Sequence, residues 1–407
     1  MSDFDFESRH IIEALRSGIP SRAVGRYFSD ARKEVMNKIN NYITNLKATG
    51  NSSSFLFKGR YGEGKTHLLN SSWALAKDNN MVVSFIPLSK ETPLDKMHLI
   101  YQKLLDNTFL PNKELPSIQP CLQNLTPGSE ITQALLKFAK EELHSERLYY
   151  LLKCYVKTSD ADILNSIKAD FEGDFVSNAD IKSFYAKTYN EKIKFERNFA
   201  KTKDFLEYFK FMSYLFKLSG FNGWVILIDE VELIGRFAKS ARYKSYYNMD
   251  TFLNPEPNFG PVLTILALSE SYDEDVIEKK NEWENLDAFA LSFSKQDVQV
   301  YNKALKTITK TLKTIESAPK LSPLTLSEVK DVLDSIILHH AQSYDWDPQT
   351  TVEEIYDSIG KGNYLLRTRI RCAIEYLDNK YQYHEKETID IKQLDNESFE
   401  ETDSNGD

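Results

Sequence analysis

Eight consecutive residues, Gly59-Arg60-Tyr61-Gly62-Glu63-Gly64-Lys65-Thr66, constrain this chain more than any other feature. They follow the apolar run Ser54-Phe55-Leu56-Phe57 and precede His67-Leu68-Leu69 and a stretch with helical character. A GxxxxGK[ST] pattern between a strand and a helix specifies a phosphate-binding loop. Glycines let the backbone curl so that successive N–H groups converge on one anion. The following helix directs its positive end at the same place. Lys65 reaches the β- and γ-phosphates, and the Thr66 hydroxyl is suited to Mg²⁺. Gly59 through Thr66, with His67 in the first helical turn, are therefore the candidate nucleotide-binding residues.

A second signature lies far along the chain. Gly223-Trp224-Val225-Ile226-Leu227-Ile228-Asp229-Glu230 is an apolar strand that ends in two acids. A central strand of an open α/β sheet carries such residues to its C-terminal tip, where ligands bind. Asp229 is the candidate metal ligand, and Glu230 the candidate general base for water. A third strand, Pro261 to Ser269, ends in a hydroxyl that could sense the γ-phosphate; a plain strand end is the simpler alternative. Met81 to Leu88 reads as one further buried strand, and Asp287 to Phe293 as the last strand of the sheet.

Composition narrows the class. With 41% hydrophobic and 27% charged residues the chain has the balance of a globular protein. No apolar run approaches the roughly 20 residues needed to cross a bilayer. Cys121, Cys154 and Cys372 are odd in number and widely spaced, as in a cytoplasmic protein with reduced thiols. The net charge of −9 is concentrated at the C-terminus, where residues 384–407 hold nine acids and two lysines. That tail is expected to be disordered.

The remaining segments are helical in pattern. Residues 8–46 show apolar spacing broken at Gly18-Ile19-Pro20-Ser21, with Ser21 placed to cap the next helix; Ile19–Arg26 could either cover a nucleotide base or brace the core. Residues 181–218 hold nine Lys/Arg, four acids and eleven Phe/Tyr. Interleaved bases and rings suit a single-stranded nucleic acid, although aromatics at helical spacing usually form core. Lys303, Lys306, Lys310 and Lys313 line one face of another helix, a stripe for phosphate or simply for solvent. Thr325-Leu326-Ser327-Glu328 is a capping box that opens a small helical domain. Its last helix carries Arg367, Arg369 and Arg371, and the adjacent His339 and His340 read as structural.

In this order the motifs resemble the AAA+-type, additional-strand P-loop ATPases. More narrowly, Ile11 to Arg22, Asp229-Glu230-Val231-Glu232, Leu321 to Thr325 and Arg367-Thr368-Arg369 resemble the ATP-binding proteins of BREX-type phage-defence loci, the BrxD/BrxC-like ATPases. The resemblance implies an α/β P-loop NTPase fold with a central parallel sheet, a large helical insert and a C-terminal helical lid. The corresponding division is a helical brace at 1–50, a core at 51–128 and 220–321, an insertion at 129–219, a lid at 322–382 and a tail at 383–407. It implies ATP and Mg²⁺ as cofactors, and Lys65, Glu230, Ser269 and Arg369 as catalytic residues. Arg367 is a second lid arginine at the nucleotide, and Thr66 and Asp229 are the metal ligands. It also implies a homo-oligomer formed on ATP binding, with Arg236 or Arg242 as the arginine supplied in trans.

The expected function is ATP hydrolysis in anti-phage defence, regulating or loading a DNA-acting partner such as a helicase or nuclease. Alternatives are a slow-turnover switch or scaffold, and a DNA-translocating motor that uses the basic faces at 181–217 and 303–313. Replacement of Lys65 by Ala is expected to abolish nucleotide binding, as read by titration with a fluorescent ATP analogue.

Overall fold

The computed structural model describes residues 3–17, 22–27, 32–200, 204–256, 259–360, 362, 364–384 and 389. The Gly18–Ser21 break and nearly all of the acidic tail lie outside these residues. The chain is mixed α/β, with one five-stranded sheet. Its strands are β1 (Ser53–Gly59), β2 (Val82–Pro87), β3 (Thr108–Phe109), β4 (Trp224–Asp229) and β5 (Val262–Ser269). They lie in the order β1-β5-β4-β2-β3. β4 pairs in parallel with β2 on one side and β5 on the other, and the short β3 pairs antiparallel with β2. β4 is buried at every residue, as expected for the middle of a parallel sheet, and so reads as a continuous apolar run.

The strand expected at 287–293 is a helix, Glu282–Ser294. Leu286, Phe289 and Ala290 are buried, with Phe293 packed beside them, and this 3–4 spacing outweighs the strand propensity of the aromatics. The backbone beside β1 is supplied instead just before the helical domain. Lys58 N–H donates to Pro319 O at 2.9 Å, and Leu321 N–H donates to Lys58 O at 2.7 Å, a single parallel bridge. After β2 a helix runs over Met97–Asp106, and Thr108-Phe109 forms β3.

The chain divides into two compact units, and the cut differs from the one drawn on the sequence. One unit is Met1–Asn40, Phe57–Leu75 and Pro319–Asp407; the other is Asn41–Leu56 and Ala76–Ala318. In the first, the N-terminal helix Asp3–Arg16 lies on the helix Leu326–Tyr344. Ile11, Ile12, Leu15 and Val24 share one core with Val332, Ile336, Ile355, Cys372 and Ile374. The segment expected to be a brace is thus part of the helical domain's own core.

A buried polar network ties this core. Trp346 Nε1 donates to His340 Nδ1 at 2.9 Å, and an indole N–H can only donate. His340 therefore carries its proton on Nε2, which donates to Asp378 Oδ1 at 2.9 Å. Arg16 holds both oxygens of the same carboxylate, at 3.1 and 2.8 Å. Both histidines are buried, and His339 Nδ1 lies 3.1 Å from the Ser8 hydroxyl.

The second unit contains β2 to β5, the start of β1 and the helical insertion. The insertion is built from the helices Glu130–Glu141, Arg147–Lys157, Ala161–Phe171, Asn178–Tyr189 and Leu206–Leu218. The rings of the last helix settle its role: Tyr208, Phe209, Phe211 and Phe216 are all buried. Arg147 is buried among them, pairing with Asp170 and donating to Tyr208 Oη at 2.6 Å. In the sheet, Trp224 Nε1 donates to Ser84 Oγ at 2.8 Å, which in turn meets Thr108 Oγ1 at 2.6 Å. Each of these five side chains, Arg147, Tyr208, Trp224, Ser84 and Thr108, thus has a partner, as buried polar groups generally do.

Burial alone would raise the pKa of Asp378, but its bonds to His340 and Arg16 bring it below the usual carboxylate value. A depressed carboxylate stabilises the fold above its unfolded pKa, and that stability is lost as pH falls through the folded pKa. Asp378→Ala is therefore expected to cost roughly 2 kcal/mol at neutral pH. The cost shrinks on acidification, as measured by thermal melts from neutral to acidic pH.

Candidate functional site

The expected site residues fall in both units. Gly59–His67, Arg367 and Arg369 belong to the first; Asp229, Glu230 and Ser269 belong to the second.

In the first unit, β1 ends at Gly59 and the helix Lys65–Asp78 begins six residues later. Gly62 and Gly64 have φ of +74° and +87°, a region that costs an L side chain about 1 kcal/mol or more. A Cβ on Gly62 would also lie 3.1 Å from Leu365 Cδ1. The turn between Arg60 and Glu63 is closed twice. Glu63 N–H donates to Arg60 O at 3.3 Å, and Arg60 N–H donates to the Glu63 carboxylate at 2.9 Å. Lys65 is buried, and its Nζ donates to Gly59 O at 3.2 Å, across the mouth of the loop. Thr66 and His67 are half-buried on the first turn. A glycine turn that leads into a helix N-terminus is an arrangement able to hold a phosphate.

Residues that no local pattern marks complete this site. Arg32 is buried and donates to Glu63 O at 2.8 Å and to Ser322 O at 2.6 Å. Gly25 lies so close to the loop helix that an added Cβ would sit 2.5 Å from Asn70 Cβ. Its carbonyl accepts from Ser71 Oγ at 2.7 Å, and the Arg22 guanidinium lies over the Trp73 ring at 5.2 Å. The described part of the Ile19–Arg26 segment thus packs on the loop helix; Ile19–Ser21 lie outside the described residues. Contacts spanning such long sequence separations leave no short-range signature.

The two lid arginines differ. Both lie on the helix Leu366–Leu377, but positions i and i+2 do not share a face. Arg367 Nη1 donates to Tyr61 Oη at 2.9 Å, which brings it to the phosphate loop. Arg369 turns back into its own domain, where Nη2 donates to Gly362 O at 2.6 Å and the guanidinium lies over Tyr356 and Tyr364. Of the two, Arg367 is the one hydrogen-bonded to Tyr61 of the loop, whereas Arg369, the expected first choice, is bonded to Gly362 O.

In the second unit, Asp229 is buried at the tip of β4, and its Oδ1 accepts the Glu230 N–H at 2.9 Å. Glu230 is exposed and left-handed, with φ +57°. A glutamate in that region is uncommon, and such residues concentrate at functional sites. Ser269 closes β5; its N–H donates to Glu232 Oε2 at 3.1 Å and its Oγ lies 3.2 Å from Ser271 Oγ. Arg236 is exposed. Arg242 is buried against Glu282 at 2.5 Å and donates to Phe237 O, so its guanidinium is committed inside its own subunit and is withdrawn as the arginine supplied in trans. Among the described residues, no group of three or more His, Cys, Asp or Glu could hold a metal, and no helix is long and apolar enough to cross a membrane.

The family model for BREX system ATP-binding protein BrxC/D matches residues 5–128 and 188–260. The chain belongs to this family. As a BREX system ATP-binding protein it has ATP as its ligand and a role in phage defence. The matched residues contain the phosphate loop, Arg32 and Asp229-Glu230; Ser269, Arg367 and Arg369 fall beyond them. No curated protein matches the chain.

Arg367→Ala is expected to weaken ATP binding about tenfold, the equivalent of about 1.4 kcal/mol. Arg369→Ala should instead lower the melting temperature with affinity nearly unchanged. Nucleotide titrations and thermal melts of both variants check this.

Proposed function

We propose that this BREX system protein is a magnesium-dependent ATPase of the AAA+ type, and that its nucleotide cycle acts on a DNA-processing partner of the same defence system, a helicase or a nuclease. The observation that carries the proposal is the phosphate cradle itself: two glycines at positive φ, a closed Arg60–Glu63 turn and Lys65 at the mouth of the loop. The position of β5 between β1 and β4 supports the additional-strand class.

In this proposal Lys65 and Arg367 neutralise phosphate charge, Thr66 and Asp229 are the magnesium ligands, and Glu230 is the general base. Ser269 senses the γ-phosphate. The donor chemistry fits the metal. Mg²⁺ prefers hard oxygens, takes one or two carboxylates and keeps several waters beside substrate phosphates, so it needs no cage of protein ligands. The exposed Glu230, held in an unfavourable backbone region beside a buried Asp229, supports a catalytic role over a pure scaffold. If the chain assembles on ATP, the exposed Arg236 is the candidate arginine in trans.

A second feature favours direct contact with nucleic acid. On the insertion, Lys140 lies over Tyr149 at 5.9 Å, Lys153 over Tyr149 and Tyr189 at 5.7 and 4.7 Å, and Lys157 over Tyr189 at 4.1 Å. Lys303, Lys306, Lys310 and Lys313 are likewise exposed along the helix Val298–Glu316. Phosphates on lysines beside half-buried rings form the single-strand binding pattern.

The test is ATP hydrolysis by wild type and Glu230→Gln, with and without single- and double-stranded DNA. Glu230→Gln should retain ATP binding and lose turnover by about 100-fold or more. DNA should stimulate the wild type in a way that falls steeply with salt. Turnover that survives in Glu230→Gln removes the general-base assignment. A flat response to DNA and salt returns the lysines to a solvated surface.

A further inference from the structure

The loop carbonyl held by Arg32 has a directional consequence. A trans peptide is planar, so the carbonyl of Glu63 and the N–H of Gly64 lie in one plane and point in opposite directions. The Arg32 Nη2–Glu63 O bond of 2.8 Å therefore turns the Gly64 N–H away from the guanidinium. The Gly64 N–H belongs to the run of loop amides that surround a phosphate. Left free, the 63–64 peptide could rotate, because Gly64 tolerates both signs of φ.

The other arm of the same guanidinium donates to Ser322 O at 2.6 Å. Ser322 lies between the Leu321 N–H bond to Lys58 O and the Thr325 cap of the helix Leu326–Tyr344. One rigid, planar fork thus touches the phosphate loop and the entrance to the helical domain. The bond to Glu63 is buried, where water competes poorly, and the bond to Ser322 is part-buried at the exposed start of the helical domain.

We propose that Arg32 is a positioning residue that presets the Gly64 amide for the nucleotide phosphate and couples that amide to the helical domain at Ser322. The proposal rests on the phosphate-loop assignment and adds a route by which nucleotide occupancy reaches the helical domain. A lysine cannot replace the fork, because a single ammonium lacks the fixed geometry that reaches two carbonyls.

The experiment is hydrogen exchange of the full-length protein with and without ADP or a non-hydrolysable ATP analogue, together with nucleotide titration. In the wild type, nucleotide should slow exchange in 60–66 and in 320–326 together. In Arg32→Lys, affinity should fall about tenfold, as for one lost charge-assisted hydrogen bond. At saturating nucleotide the variant's loop should still be protected while 320–326 no longer responds. A merely structural arginine would lower the melting temperature and leave that joint response intact. Unchanged affinity with joint protection in a folded Arg32→Lys overturns the proposal. So does loop-only protection in the wild type, a result that needs no variant to fold. Failure of the wild type to bind nucleotide would instead overturn the phosphate-loop assignment, with Lys65→Ala as the non-binding control.

Discussion

An anion can be held by backbone amides only where consecutive peptide planes are forced to turn their N–H groups inward. Here that constraint rests on Gly62 and Gly64 at positive φ, and on the hydrogen bonds that stop the curl from relaxing. Arg60 and Glu63 close the turn from within, and Arg32 pins it from outside. A glycine loop without such clamps would gain entropy by opening. The polar contacts around the loop thus hold in place a curl that the glycines permit.

The same unit shows how a helical domain can be tied to such a loop. The N-terminal helix and the C-terminal helices bury one common core, and Arg16, His340 and Asp378 satisfy one another inside it. Among the described residues, links between that domain and the loop include Arg32 through Ser322, Leu365 beside Gly62, and Arg367 on Tyr61. Each is a stereospecific contact, so a change in loop geometry has to be accommodated by each of them.

The second unit balances a different pair of demands. Its insertion is rich in aromatic rings, and most of those on the helix Leu206–Leu218 are buried, where edge-to-face and stacked packing suits them. Lysines that cannot be buried cluster around the partly exposed tyrosines of neighbouring helices. One compositional pattern therefore serves both core and surface, and only burial separates the two.

Sequence alone determined the elements whose signal is local: the glycine turn between β1 and the helix Lys65–Asp78, the buried strand that ends at Asp229, the capping box at Thr325 and the helical character of 129–219. Their chemistry depends on residues close in the chain. It misplaced the last strand, because Phe289 and Phe293 look strand-like until Leu286 and Ala290 join them on one helical face. It ranked Arg369 above Arg367, because two arginines on one helix are separated only by direction. It could not find Arg32 or distinguish Arg242 from Arg236, since a guanidinium's role is set by which distant carbonyl or carboxylate lies within reach. Tertiary structure decided these points, because long-range hydrogen bonds and burial are properties of the folded chain and leave no periodic trace in its residues.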